Sequence, residues 1–123
     1  MKKVYIQLST HWDREWYNPF QAFRYELIGV TDKIISEVKS KQNIENFVFD
    51  GQTIVTEDYL DIVSENRCEL ATQIENGSIK IGPWYVMPDE WLVSGESLIR
   101  NFQQGKRICD DFNTEPFRYG YIN

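Results

Sequence analysis

The sequence is short of cysteine, histidine and basic charge, and each shortage closes off a class of function. Its two cysteines, Cys68 and Cys109, lie far apart with no metal-type or redox spacing, so neither a disulfide scaffold nor a thiolate zinc cluster is in view. Both fall in segments of helical pattern and are expected to be buried thiols in a reducing cytoplasm. Against 13 Lys and Arg stand 19 Asp and Glu, a formal charge of −6 spread along the chain without a basic stripe. That balance argues against nucleic acid and anionic membrane as partners. Long apolar runs are missing too. Met1-Lys2-Lys3 resembles the start of a secretion signal, but the segment behind it is interrupted by Gln7, Ser9 and Thr10. Neither a signal peptide nor a membrane span is predicted, and a cytoplasmic location is the corresponding expectation.

What the chain does have is concentrated. With 123 residues it fits one modest domain, residues 1–123, able to bury about two-thirds of its unfolded surface. Aromatics make up 15% of it, including four tryptophans, which offers stacking surfaces for ring-shaped ligands. The single histidine stands in His11-Trp12-Asp13-Arg14-Glu15-Trp16-Tyr17, directly behind an apolar segment.

Taken in order, Val4, Ile6 and Leu8 alternate with Tyr5, Gln7 and Ser9, a period of two that predicts a strand over residues 3–9. Asn18-Pro19 reads as an N-cap followed by proline at the first helical position, and Leu27, Val30, Ile34, Ile35 and Val38 carry a helix through Ser40. Phe47-Val48-Phe49 predicts a second, buried strand closed by Asp50-Gly51-Gln52. Two shorter helical pieces follow over 57–63 and 65–76, with Ser64 as N-cap of the second and Asn76-Gly77 as its stop. Ile79 and Ile81 open a third strand. The segment from Gly82 to Trp91 is too aromatic and too broken for a routine turn. Ser94 caps a last helix whose Leu98, Phe102, Gly105, Cys109 and Phe112 form a stripe, with Glu96 in the first turn where the helix dipole favours it. Residues 117–122 begin a fourth strand. The order βαβαβαβ implies α/β architecture: a parallel sheet covered on both faces, or part of a (β/α) barrel. Either one gathers His11 to Trp16, Asp50 to Gln52 and Trp84 to Glu90 at the C-terminal edge of the strands, where such folds place their ligands.

At the end of an extended segment, residues i and i+2 point to the same side, so His11 and Asp13 present an imidazole and a carboxylate together while Trp12 points away. The pair has two readings. It is a hydrogen-bonded pair ordering the loop, which spacing alone favours because one His-x-Asp is a weak motif, or it is part of a divalent metal site that needs further ligands. Trp16 is likewise either a core residue under the first helix, which composition favours, or an indole platform for the apolar face of a sugar. Glu57-Asp58 and Asp110-Asp111 read as solvated helix faces. Asp89-Glu90 reads first as a loop cap or salt-bridge pair, although it sits at the ligand end.

Company changes these weights. In order, the His11 to Tyr17 block, Phe49-Asp50-Gly51-Gln52 with Glu57-Asp58-Tyr59-Leu60, Ile81-Gly82-Pro83-Trp84-Tyr85, Ser94-Gly95-Glu96-Ser97-Leu98-Ile99-Arg100-Asn101 and Gly120-Tyr121-Ile122 resemble the N-terminal stretch of glycoside hydrolase family 38, the retaining α-mannosidases. The wording is most similar to bacterial members, including those acting on mannosylglycerate or its phosphorylated form. The resemblance implies a (β/α)7 barrel, of which this chain would be the first three βα units and a fourth strand. It implies that His11 and Asp13 are two ligands of a catalytic Zn2+, that Trp16 is part of the sugar site, and that Trp84, Asp89 and Glu96 lie in or near the pocket. The family's nucleophilic aspartate belongs to a segment G-Y-x-P-D-x-F-G, and Gly120-Tyr121-Ile122-Asn123 reaches the residue just before it. The general acid/base and a later zinc-binding histidine come further on. No catalytic carboxylate is therefore assigned within residues 1–123, and the chain reads as a fragment, inactive alone, of a homo-oligomeric enzyme acting on α-mannosides by double displacement with retention. An open sheet edge and an uncovered apolar face are expected to make it prone to association. The alternative from another class is a non-catalytic binding or assembly module derived from a truncated barrel.

Overall fold

A computed structural model describes residues 2–120. Three short strands, β1 (Leu8–Ser9), β2 (Phe47–Val48) and β3 (Ile79–Lys80), form a parallel sheet in the order β1-β2-β3. Leu8 pairs with Phe47 and Phe47 with Ile79, so the strands run in step and end at one edge. Helices α1 (Phe20–Ser40), α2 (Ile54–Leu60), α3 (Arg67–Glu75) and α4 (Gly95–Asp111) alternate with them, and a 3-10 turn over Ser64–Asn66 separates α2 from α3.

Apolar spacing explains the packing. Phe23, Leu27, Ile34, Ile35 and Val38 fall on one face of α1 and are buried there. Leu27, Ile34, Ile35 and Val38 join Phe47 and Phe49, Val55 and Tyr59 of α2, Leu70 and Ile74 of α3, Ile79 and Ile81, and Ile108, Cys109 and Phe112 in one core. At α4 the stripe closes on backbone. A β-carbon added at Gly105 would stand 2.3 Å from the Pro83 carbonyl oxygen, so glycine is what allows the helix to lie directly on the segment after β3. Ser94 caps α4 as expected, its Oγ accepting from the Ser97 N–H at 3.1 Å.

Several expectations need correction. The alternating segment over 3–9 pairs only at Leu8 and Ser9, and Val4, Tyr5 and Ile6 are more than 80% exposed, because among the described residues nothing packs on them. The α1 cap is Pro19 rather than Asn18, and no side chain closes it. Helix α2 starts three residues before Glu57, since Thr53 and Ile54 donate their N–H groups to the Trp84 and Tyr85 carbonyls, a tertiary cap without local signal. Ser64 opens the 3-10 turn, and Asn66 flanks α3 instead. Cys109 is buried, but Cys68 is exposed on the outer face of α3. Over 117–120 no strand is formed, although the Phe117 N–H donates to the Ile81 carbonyl at 2.9 Å as a ladder neighbour would. The remainder of the expected fourth strand, at Tyr121 and Ile122, lies outside the described residues. Three parallel strands with flanking helices make a small α/β unit, and closure into a barrel is a property this chain alone does not display. Among the described residues no helix is long and apolar enough to cross a membrane.

Candidate active site at the strand ends

Beyond β1 the chain leaves the sheet through Thr10, whose N–H still bonds to the Val48 carbonyl at 3.3 Å, and enters the His11 loop. His11 and Asp13 do emerge on one side, with Nε2 3.8 Å from Asp13 Oδ2 and both side chains 45% exposed. Trp12 turns the other way, packing against the core and edge-on to Phe23 at a centroid distance of 6.0 Å. The period of two therefore persists one step past the ladder.

The loop after β2 holds this arrangement from beneath. Asp50 is in the left-handed region at φ 50°, followed by Gly51 at φ 70°, a turn that Asp-Gly tolerates at low cost. Its carboxylate is buried; Oδ2 accepts the Trp12 N–H at 2.8 Å and lies 3.7 Å from His11 Nδ1. Burial raises the Asp50 carboxyl above the usual range, and the Trp12 N–H bond and the nearby imidazole oppose that shift. Gln52, 1% exposed, spans three loops with one amide. Nε2 donates to the Trp12 carbonyl at 2.9 Å, and Oε1 accepts the Met87 N–H at 3.2 Å.

A cleft of about 430 Å³ opens beside this network, lined by Trp12, Asp13, Arg14, Glu15, Gln52 and Met87 among others. Arg14 is fixed there by a two-point bond to Asp58, Nε to Oδ2 at 2.6 Å and Nη2 to Oδ1 at 2.8 Å. The hydrogen bond to Asp58 raises the guanidinium pKa further, so Arg14 is a permanent cation. Two guanidinium groups approach the Phe20 ring, that of Arg14 at 4.7 Å and that of Arg24 at 5.3 Å. Asp58 is therefore no solvated helix residue: it is buried on the inner face of α2, and Arg24 also approaches it at 4.0 Å. Its neighbour Glu57 accepts the Tyr85 hydroxyl at 2.7 Å.

The remaining site expectations disperse around this cleft. Trp16 projects into solvent at 76% exposure rather than into the core. Trp84 is buried, stacked on Phe102 of α4 at 4.1 Å, and presents almost no surface to a ligand in this chain. Asp89 is exposed and caps its own turn, accepting the Trp91 N–H at 3.3 Å. Glu96 is exposed in the first turn of α4, bonds Arg100 at 2.7 Å, and lines an adjacent groove with Tyr85, Val86 and Pro88. Asp50, Gln52, the Arg14–Asp58 pair and Asn101, whose amide bonds both the N–H and the carbonyl of Val86, hold the loops around the cleft, a role that periodicity does not reveal. The sequence places Asp50 to Gln52 at the strand ends and sets Arg14, Asp58 and Asn101 in the family-like blocks, but it does not show the bonds that join them.

Zinc would fit the His11–Asp13 pair with little movement, since two donors at ordinary zinc bond lengths in a tetrahedral shell stand about 3.4 Å apart. Two donors are half a shell. Asp50 is committed to Trp12, and among the described residues no group of three metal-type side chains converges.

Comparison with known proteins gives the family. The chain is 39% identical over 121 residues to a protein of Halalkalibacterium halodurans named "Putative mannosylglycerate hydrolase", covering 98% of this chain and 14% of that one. The crystal structure of an alpha-mannosidase from Enterococcus faecalis V583 superposes with a TM-score of 0.90 at 35% identity, over 95% of this chain and 13% of that one. A second structure, of a glycosyl hydrolase family 38 protein from Enterococcus faecalis, gives 0.86 at 32% identity, over 98% and 14%. The chain thus spans about one-seventh of the curated relative's length. The family model described as the glycosyl hydrolases family 38 N-terminal domain matches residues 1–122, and the chain belongs to that family.

Proposed function

We propose that this chain is the N-terminal part of a zinc-dependent retaining α-mannosidase acting on terminal α-mannosides, with mannosylglycerate-type compounds among the candidate substrates. The observation that carries the reading is the paired display of His11 and Asp13 at the end of β1, in a chain whose family and solved relatives include α-mannosidases.

In this reading His11 Nε2 and Asp13 Oδ2 hold half of the metal shell, and the remaining ligands come from polypeptide beyond residue 123. When bound, zinc supplies a Lewis acid that grips sugar hydroxyls next to the reacting carbon. The chain's own residues do the rest of the local work. Trp16 offers an indole face to the sugar's C–H surface, Arg14 fixes the far wall of the cleft through Asp58, and Gln52 keeps the His11 loop against the Met87 segment. Glu96 lines the adjacent groove, and Trp84, buried against α4, and the exposed Asp89 would act only at its margins. The nucleophile and acid of the double displacement also lie beyond residue 123, so these residues alone leave an aryl α-mannoside unhydrolysed.

Calorimetric titration of the chain with zinc tests the assignment. Weak binding that His11→Ala abolishes is expected; tight binding indifferent to that substitution would overturn it. Turnover of the aryl α-mannoside by the chain alone would refute the division of the site.

A further inference from the structure

We propose that Asp50 is the positioning residue of His11, holding the imidazole through Nδ1 so that Nε2 is directed toward Asp13. The inference rests on the reading of His11 as a metal ligand, but its geometry is independent of any metal.

An imidazole that binds through one nitrogen is oriented by what its other nitrogen meets, usually a carboxylate or a carbonyl. Here the two nitrogens face two different carboxylates: Nε2 looks to Asp13, half in solvent, and Nδ1 to Asp50, 1% exposed. The two carboxylates differ in what else they do. Asp13 stands at the cleft, whereas Asp50 is tied down by the Trp12 N–H at 2.8 Å and by Gln52 Nε2 at 3.4 Å. It is therefore a fixed reference, and a carboxylate with about four lone-pair sites has capacity left for one more donor. At 3.7 Å, His11 Nδ1 is roughly half an ångström from a hydrogen bond, a gap of the kind that often tightens when a site is filled.

Two further features favour this role over a bystander's. Asp50 adopts φ 50°, a conformation that costs a non-glycine residue about 1 kcal/mol or more and that aims its side chain back under the His11 loop. A carboxyl is also buried where an amide would satisfy the Trp12 N–H at lower desolvation cost, and His11 Nδ1 at 3.7 Å is the further donor it stands beside. Gln52 completes the clamp, because the amide that touches Asp50 also bonds the Trp12 carbonyl and the Met87 N–H.

His11 is the only histidine, which makes the test direct. Long-range proton–nitrogen correlation spectra of the isotope-labelled, metal-free chain, at mildly alkaline pH, report which ring nitrogen carries the proton. Nδ1–H is expected, and this measurement needs no variant. In Asp50→Asn the proton should move toward Nε2, the form that predominates in an unconstrained imidazole, and zinc binding should weaken by about 10–100-fold. Nε2–H in the unmodified chain, or an unchanged tautomer in Asp50→Asn, would overturn the proposal. A chain with the expected tautomer that takes up no zinc would uphold the role of Asp50 and refute the metal reading instead.

Discussion

Arg14 and Asp58, 44 residues apart, meet in a two-point ion pair that joins the His11 loop to helix α2. Asp58 is buried, and removing its partner leaves a carboxylate whose remaining cation, among the described residues, is Arg24 at 4.0 Å. Stranding a buried charge costs 3–5 kcal/mol in closed sites; with Arg14 one-third exposed, Arg14→Ala should cost about 2–3 kcal/mol. Urea melts of Arg14→Ala, Asp58→Ala and the double variant should give a coupling of about 1–3 kcal/mol. Additive effects would mean the pair contributes nothing.

Two glycines in helices should respond with opposite sign. Gly105→Ala drives a methyl group onto the backbone of Pro83, Trp84 and Tyr85, with distances of 2.3–2.9 Å, and should destabilise the chain by about 2 kcal/mol or more. In α1, an added Cβ at Gly29 meets nothing within 4 Å, so Gly29→Ala should gain about 0.5–1 kcal/mol from helix propensity. Denaturant midpoints measure both.

The thiols should separate cleanly. Burial pushes Cys109 up to about 11, so it is neither accessible nor ionised at pH near 8, while Cys68 is exposed. A disulfide reagent should titrate one thiol per native chain and two in denaturant. Two fast thiols in the native chain would show that the α4 packing opens readily.

Tyr59 sets an alkaline limit. Its hydroxyl donates to Asp32 at 2.6 Å and accepts from Asn66 at 2.6 Å, and burial, followed by the Asp32 bond, pushes its pKa from 10.0 up to about 12. A raised acid pKa means the folded chain favours the neutral phenol, so the contribution is complete below pH about 10 and is lost as pH rises toward 12. The loss should be on the order of 2 kcal/mol across that window. Tyr59→Phe should flatten this part of the pH–stability curve, and an unchanged slope would contradict the assignment.

Helices were the most legible part of the sequence, because their signals are local. The α1 stripe and the Ser94 cap both stand where periodicity and capping chemistry place them. Misreadings fall where a residue's partner is remote. Asp58 looks solvated until Arg14 arrives from another loop; α2 starts early because the carbonyls of Trp84 and Tyr85 cap it. The alternation of Val4 and Ile6 is strand-like, yet a strand needs a neighbour, and the ladder to β2 has two rungs. At the candidate site, the alternation that sets His11 and Asp13 on one side and the placing of Asp50 to Gln52 at the same edge were readable, but the bonds from Asp50 and Gln52 to Trp12 and Met87 were not.

That two-rung ladder means the His11 loop does not inherit its order from the strand leading into it. The Trp12 amide, bonded to a buried carboxylate, should exchange its hydrogen with solvent more slowly than the amides of Tyr5 and Ile6, which stand in open water. The segment is thus expected to be most rigid at the His11 loop and loosest at its start, so material can be added or exchanged ahead of Leu8 without the disturbance reaching the candidate metal pair.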